Sequence, residues 1–82
     1  MLYYSTVLKA QLKKIGGVMM AMTIKAARVN AGLTQEEARC ALGISRNTIV
    51  NYEKYKTKVP VETAKKMAAL YGVTVDDIIF FK

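Results

Sequence analysis

Side chains that can hydrogen-bond the edges of DNA bases share one side of a short segment in the middle of the chain. Residues 45–54 are predicted to form a helix, because Ser45 is a favourable N-cap residue. Positions i, i+1, i+4, i+5 and i+8 lie on one face of such a helix. Arginine can bond guanine through two hydrogen bonds, and asparagine can bond adenine in the same way. One face of the segment is therefore predicted to read bases in a DNA major groove, and it carries Arg46, Asn47, Val50, Asn51 and Lys54.

A second short helix must hold this face in place. Residues 34–42 are predicted to be helical, since Thr34 and Glu37 have the spacing of a capping box, in which each side chain accepts a hydrogen bond from the other residue's backbone. Gly43 is predicted to end that helix, because glycine adopts a left-handed backbone conformation without steric cost. The two helices and their tight turn would form a helix-turn-helix whose inward side carries Ile44, Ile49 and Tyr52.

The stretch from Leu33 to Phe80 resembles the Cro and lambda-type repressor family of helix-turn-helix proteins, also called the XRE family. The resemblance implies an all-α fold, a five-helix lambda-repressor-like DNA-binding domain over residues 23–82. Its other helices would be residues 23–31, residues 61–71 and a last short helix capped by Thr74. Three motifs occur in the family's order and spacing: Leu33-Thr34-Gln35-Glu36-Glu37, Leu42-Gly43-Ile44-Ser45-Arg46 and Asn51-Tyr52-Glu53.

The resemblance also implies roles for individual residues. Arg46, Asn47 and Asn51 would read bases, and Gln35 could also reach a base edge. Residues in or after the two motif helices would contact the DNA backbone, namely Thr34, Ser45, Thr48, Lys54, Lys56 and Lys58. For Lys56 and Lys58 the alternative is a solvated loop, although cations beside DNA gain free energy by releasing counterions.

The family position of Arg28 suggests one half of a structural ion pair, with Glu53 as the other half. A partly buried arginine needs a carboxylate, and a bidentate pair would fix two helices together. The alternative is that Arg28 is only a solvated charge.

The chain departs from the family pattern at two places. Arg39 stands where the family usually has a small alanine between the two motif helices, so its long side chain must extend outward to water. Lys54-Tyr55-Lys56 replaces the usual Asn-Gly after the recognition helix. Without that glycine, the helix is expected either to run on or to end with Tyr55 packed back on the domain.

Composition limits the possible functions. The chain has 82 residues, a formal charge of +7, no histidine and one cysteine. A basic balance of this size is typical of small domains that bind polyanions. The residue types and spacings of a catalytic site, a metal site or a cofactor site are missing, so we expect neither an enzyme nor a bound cofactor. Low cysteine usage favours a reducing cytoplasm, and the apolar runs are too short to span a membrane.

Residues 1–22 are predicted to be an extension outside the family resemblance. They carry three lysines and no acidic residue, with apolar residues at helical spacing that could equally begin a strand. Gly16-Gly17 interrupts either pattern. The extension would be an arm that packs on a second subunit or reaches DNA. The alternative is a non-native leader, with the biological start near Met22.

The last part of the chain favours self-association. Residues 61–71 place Ala64, Met67, Ala68 and Tyr71 at the spacing of one inward helical face. Residues 78–81 then add more apolar surface than one small subunit should hide, so one or two of them are expected in the core and the rest at a subunit interface. A homodimer is therefore expected, with Ile79, Phe80 and Phe81 as its candidate contacts.

Together these features predict sequence-specific binding of double-stranded DNA by a transcriptional regulator, most simply a repressor of the phage-repressor type. The alternative is a protein-interaction module such as an antitoxin, which would use residues 1–22 or the Phe80-Phe81 end for its main contact. A chain of this length leaves no room for a ligand-sensing domain, so no small-molecule ligand is inferred.

Overall fold

The computed structural model describes residues 21–82, so all but the last two residues of the predicted arm, and its helix-or-strand alternative, lie outside the described residues. Within that range two short strands and four α-helices are present, together with one turn of 3₁₀ helix at Val75–Asp77. In chain order the elements are β1 (Met22–Thr23), α1 (Ile24–Asn30), α2 (Gln35–Leu42), α3 (Arg46–Glu53), α4 (Val61–Tyr71) and, after the 3₁₀ turn, β2 (Ile78–Ile79).

Local capping explains where the first three helices begin. The Thr23 hydroxyl accepts a hydrogen bond from the Ala26 N–H, and the Ser45 hydroxyl accepts one from the Thr48 N–H. At α2 the predicted capping box is confirmed, with Thr34 N–H bonded to the Glu37 carboxylate at 2.9 Å and Glu37 N–H bonded to the Thr34 hydroxyl at 3.1 Å. Each cap satisfies N–H groups that have no partner inside the helix.

The turn between α2 and α3 depends on glycine. Gly43 has φ 69°, and its N–H bonds the Cys40 carbonyl, while the Ile44 N–H returns to the Arg39 carbonyl. A left-handed residue followed by this backward bond closes the C-terminus of a helix. The turn fixes the direction in which α3 leaves α2, which confirms the predicted helix-turn-helix.

The core lies between the helices and β2. Ile24, Ile49 and Met67 are fully buried at its centre. All four residues predicted for the inward face of α4 are buried, as are Ile49 and Tyr52 of α3, while Ile44 lies at the edge of the core. The side of α3 that faces the core is therefore the side opposite its polar face.

The predicted last short helix, capped by Thr74, is present as a 3₁₀ turn and not as a fifth α-helix. The chain makes only one 3₁₀ turn after Thr74 and then enters β2, which pairs in parallel with β1 through Met22–Ile78 and Thr23–Ile79. A segment this short cannot offset the cost of nucleating an α-helix, and consecutive β-branched residues favour an extended backbone. The fold of residues 21–82 is thus helical with one minimal parallel strand pair.

The apolar residues at the end of the chain divide between the core and the surface, as predicted, and Phe80, one of the three candidate subunit contacts, lies on the core side. Phe80 is buried in the core of its own subunit, together with Ile78. Ile79 is half-buried, whereas the Phe81 side chain is 72% exposed. Phe80 is therefore a core residue, and Phe81 supplies most of the exposed apolar surface among the three expected contact residues.

Candidate nucleic-acid interface

The structure presents α3 with one buried side and one polar side. Arg46 and Asn47 are exposed in its first turn, and Val50 and Asn51 follow as half-buried residues on the same side. Lys54 is exposed at the C-terminal end. Because the opposite side is anchored in the core through Ile49 and Tyr52, the polar side is held outward.

The N-terminus of α3 brings together two hydroxyl groups predicted to contact the DNA backbone. The Ser45 and Thr48 hydroxyls lie 2.8 Å apart, and the Ser45 oxygen also caps the helix. Thr34 occupies the equivalent capping position on α2 and is exposed. Helix N-termini attract phosphate because their free N–H groups and the helix dipole both favour an anion. The caps can thus accept a phosphate beside them.

The Arg28 and Glu53 side chains meet inside the domain. Arg28 Nε lies 2.6 Å from Glu53 Oε2, and a second guanidinium nitrogen bonds Glu53 Oε1 at 3.3 Å. Arg28 also donates to the Leu33 carbonyl at 2.7 Å. The side chains are only 8% and 4% exposed. This bidentate pair connects α1 to the C-terminal end of α3 and also to the loop before α2, so it helps to fix the angle of α3.

Gln35 lies against this ion pair. Its side-chain amide nitrogen donates to Glu53 Oε1 at 3.0 Å, and the residue is half-buried. A contact of Gln35 with a base must therefore use its amide oxygen or break this bond. The structure brings Gln35 together with Arg28 and Glu53, whereas Arg46 and Asn47 lie on the exposed side of α3.

Arg46 has a partner that the sequence reasoning missed. One of its terminal nitrogens bonds Glu36 Oε1 at 3.0 Å, although the Arg46 side chain remains 76% exposed. Glu36 also forms a bidentate pair with Arg39. The hydrogen bond from Arg39, followed by that from Arg46, lowers the pKa of the Glu36 carboxyl to about 2. The sequence did contain a signal for the Glu36–Arg39 pair, because Arg39 lies one turn after Glu36 on α2. It contained none for the bond between Glu36 and Arg46.

The loop after α3 carries the two remaining lysines expected at DNA. Lys56 and Lys58 are exposed, and Tyr55 between α3 and Lys56 has φ 60°. The Tyr55 hydroxyl bonds Ile24 and Ile79, so the residue ends α3 as a left-handed residue and packs back on the domain. Of the two alternatives expected in the absence of a glycine here, the structure shows the second, in which α3 ends and Tyr55 packs back on the domain.

Other kinds of site find little support in residues 21–82. In that range, no group of three or more His, Cys, Asp and Glu side chains lies close enough together to hold a metal ion. Cys40 is an exposed free thiol. None of the helices described here combines the length and the apolar composition that crossing a membrane requires.

A capped, exposed α3 fixed on α2 by a glycine turn defines the class of DNA-binding helix-turn-helix domains. A family model described as Helix-turn-helix matches residues 24–78. The chain belongs to this helix-turn-helix family, which confirms the predicted Cro and lambda-type (XRE) membership. The family consists of DNA-binding transcriptional regulators rather than enzymes.

Named relatives are regulators from phage, bacteria and archaea. The chain is 34% identical over 61 residues to the cryptic phage CTXphi transcriptional repressor RstR of Vibrio cholerae, covering 74% of this chain and 55% of that protein. It is 36% identical over 63 residues to an uncharacterized HTH-type transcriptional regulator of Methanocaldococcus jannaschii, covering 77% and 96%.

A third relative is the HTH-type transcriptional regulator ImmR of Bacillus subtilis, which is 38% identical over 56 residues, or 68% of this chain and 44% of ImmR. The chain thus spans about half the length of RstR and of ImmR, but nearly all of the archaeal relative. No solved structure gives a significant match.

Proposed function

We propose that this chain is a repressor that binds a specific duplex DNA site in the cytoplasm as a homodimer. Each subunit would insert α3 into a major groove, with two half-sites about 34 Å apart in a near-palindromic sequence. The observation that carries the proposal is the outward polar side of α3, whose opposite side is packed in the core. The relative RstR, named as a repressor, supports the sign of regulation.

In this proposal three residues of α3 discriminate between bases. Arg46 and Asn47 are the most exposed of them, and Asn51 lies one turn further along the same side. Their chemistry suits guanine and adenine, which each present a distinctive pair of hydrogen-bonding groups in the major groove. Gln35 would assist at the edge of the site through its amide oxygen, because its nitrogen is bonded to Glu53.

The remaining polar residues would hold the DNA backbone. Contacts of this kind fix the protein's position on the duplex without reading sequence. Three hydroxyl residues lie at the helix N-termini, and three lysines lie at and after the end of α3, so the two groups could approach phosphates on either side of the groove. The residues are Thr34, Ser45, Thr48, Lys54, Lys56 and Lys58.

The homodimer would use apolar surface near the end of the chain. Phe81 is 72% exposed and Ile79 is half-buried, whereas Phe80 lies in the core beside them in the chain. A second subunit covering Phe81 would remove a large apolar side chain from water, which contributes roughly 1.5–3 kcal/mol. Residues 1–22 are the other candidate for this contact.

Selection of bound sequences from random duplex DNA, at two salt concentrations, tests the proposal. We expect a near-palindromic motif whose enrichment persists at the higher salt, where nonspecific phosphate binding weakens most. The Asn47→Ala and Asn51→Ala variants should each lose preference at one symmetric pair of positions. Enrichment of no sequence by a folded wild-type protein would contradict the proposed function, and a single half-site without symmetry would contradict the dimer.

A further inference from the structure

The carboxylate of Glu36 is held more firmly than an exposed surface side chain usually is. Its Oε1 atom accepts hydrogen bonds from Arg39 Nε and from Arg46, each at 3.0 Å. Its Oε2 atom accepts a second bond from the Arg39 guanidinium and one from the Cys40 thiol at 3.6 Å. The bidentate bond to Arg39, one turn along the same helix, fixes where the carboxylate points.

That direction is toward the first residue of α3. Arg46 uses one terminal nitrogen for Glu36, and its side chain makes no other hydrogen bond within residues 21–82. A guanidinium has five N–H donors in a planar fork. With one corner held by Glu36, the other donors remain available to a base, and the long side chain has fewer conformations to lose when it binds.

The charges of Glu36, Arg39 and Arg46 also favour base reading over phosphate binding by Arg46. Glu36, Arg39 and Arg46 together carry a net charge of +1, so the carboxylate does not make this part of the surface acidic. It does offset part of the attraction that Arg46 would otherwise have for any nearby phosphate. Binding to phosphates depends mainly on charge, whereas binding to a base also depends on matched hydrogen bonds. We therefore expect the Glu36 charge to reduce nonspecific binding more than it reduces the bond between Arg46 and a base.

We infer that Glu36 is a positioning residue that sets the base specificity of Arg46 by holding its guanidinium across the helix-turn-helix. Arg39 takes part by locking the carboxylate, and this explains why an arginine is accommodated where the family has a small residue. The inference rests on the proposed function, because it assigns to Glu36 a part in the DNA recognition performed by α3.

The test compares the base preferences of four proteins: wild type, Glu36→Gln, Arg46→Ala and the double variant. The position that loses its preference in Arg46→Ala defines the base read by Arg46. At that position we expect Glu36→Gln to lower the preference by roughly threefold to tenfold, a part of the effect of a whole arginine–guanine contact. Affinity for scrambled DNA should rise at the same time, because one negative charge has been removed.

Two comparisons separate positioning from other effects of the substitution. Glu62→Gln removes the same charge from an exposed site on α4 and should leave the base preference unchanged. In the Arg46→Ala background, Glu36→Gln should change the preference no further, since its effect passes through Arg46. Glu36→Asp should restore the preference in part, because it keeps the charge with a shorter reach.

Unchanged base preference in Glu36→Gln, with a wild-type protein that enriches a motif, overturns the inference and leaves the proposed function standing. An equal loss of preference at all positions also overturns it, since that result indicates a general disturbance of α3. A folded wild-type protein that enriches no motif overturns the proposed function, and the inference with it.

Discussion

The Tyr55 hydroxyl donates a 2.6 Å hydrogen bond to the Ile79 carbonyl and accepts one from the Ile24 N–H at 3.2 Å. One side chain thus connects the end of α3 to the start of α1 and to β2. Its backbone is left-handed, with φ 60°, which costs an ordinary L-residue about 1–2 kcal/mol. The two hydrogen bonds, and the packing of the ring against the core, offset that cost.

Tyr55→Phe removes both hydrogen bonds but keeps the ring. The Ile24 N–H and the Ile79 carbonyl then lose their hydroxyl partner in a partly buried place, so we expect the free energy of unfolding to fall by about 1–3 kcal/mol. Urea-induced unfolding followed by circular dichroism measures the change. A stability equal to that of the wild type would show that these bonds contribute nothing in solution.

Tyr71→Phe is the natural comparison, because it removes a hydroxyl that makes no hydrogen bond within residues 21–82. The Tyr71 oxygen is buried and has no hydrogen-bond partner among the described residues. A buried polar group without a partner carries a desolvation penalty. We therefore expect Tyr71→Phe to be as stable as the wild type or up to about 1 kcal/mol more stable, measured in the same urea titration. A loss as large as that of Tyr55→Phe would contradict this assignment.

The same hydroxyl predicts a dependence of stability on alkaline pH. Burial, reinforced by the nearby Glu53 carboxylate, raises the pKa of Tyr71 from 10.0 to about 12. Between these values the unfolded chain releases the proton and the folded protein keeps it, so stability falls as pH rises through this window. Unfolding measured from pH 9 to pH 12 should show a shallower decline for Tyr71→Phe than for the wild type. Identical profiles would contradict the prediction, since the two proteins differ only in this hydroxyl.

The residues that the sequence could position are those governed by local rules. The caps at Thr34 and Ser45 and the turn at Gly43 depend on neighbours within a few residues. The inward face of α4 depends only on the helical period. Such features can be predicted from a single sequence, because the capping side chain and the backbone N–H that it bonds lie within the same few residues.

The features that could not be predicted join residues distant in the chain. Tyr55 bonds a residue 31 positions earlier and another 24 positions later, and nothing local indicates either partner. The predicted fifth helix is limited to one 3₁₀ turn for the same reason, because β2, which follows it directly, exists through its pairing with β1. At the candidate site, the bond between Glu36 and Arg46 spans the turn, so it needs the angle between α2 and α3 to be known first.

The buried pair of Arg28 and Glu53 predicts a strongly non-additive effect on stability. Glu53→Gln leaves the Arg28 charge buried without its carboxylate, which should cost about 3–5 kcal/mol. Replacing both residues by apolar ones, as Arg28→Met with Glu53→Leu, should recover much of that loss, because no charge then remains buried. Thermal unfolding of Arg28→Met, of Glu53→Leu and of the double variant measures the coupling between the two side chains. Losses that simply add would show that the two side chains do not interact in solution.

Arg46→Ala should relax base preference at one symmetric position and weaken the specific site by about 1–3 kcal/mol. Arg46 is largely exposed, so folding stability should change little. Competition binding against oligonucleotides substituted at each position measures the preference. A uniform loss across all sequences would reassign Arg46 to phosphate binding.

Lys56→Ala separates backbone contact from base reading, because a phosphate contact acts on every sequence alike. Lys56 lies exposed immediately after Tyr55, whose two hydrogen bonds hold the loop to the domain. If Lys56 neutralises one phosphate, its loss should lower the salt slope of log K by about 1 and weaken specific and scrambled DNA equally. Fluorescence anisotropy from low to moderate salt measures both quantities.

The matched control is Lys65→Ala, which removes an exposed lysine on α4 away from the predicted contacts and should leave the salt slope unchanged. Equal slopes for Lys56→Ala and wild type would place Lys56 in solvent, and equal losses for both lysines would point to the overall charge of the protein instead of a defined contact.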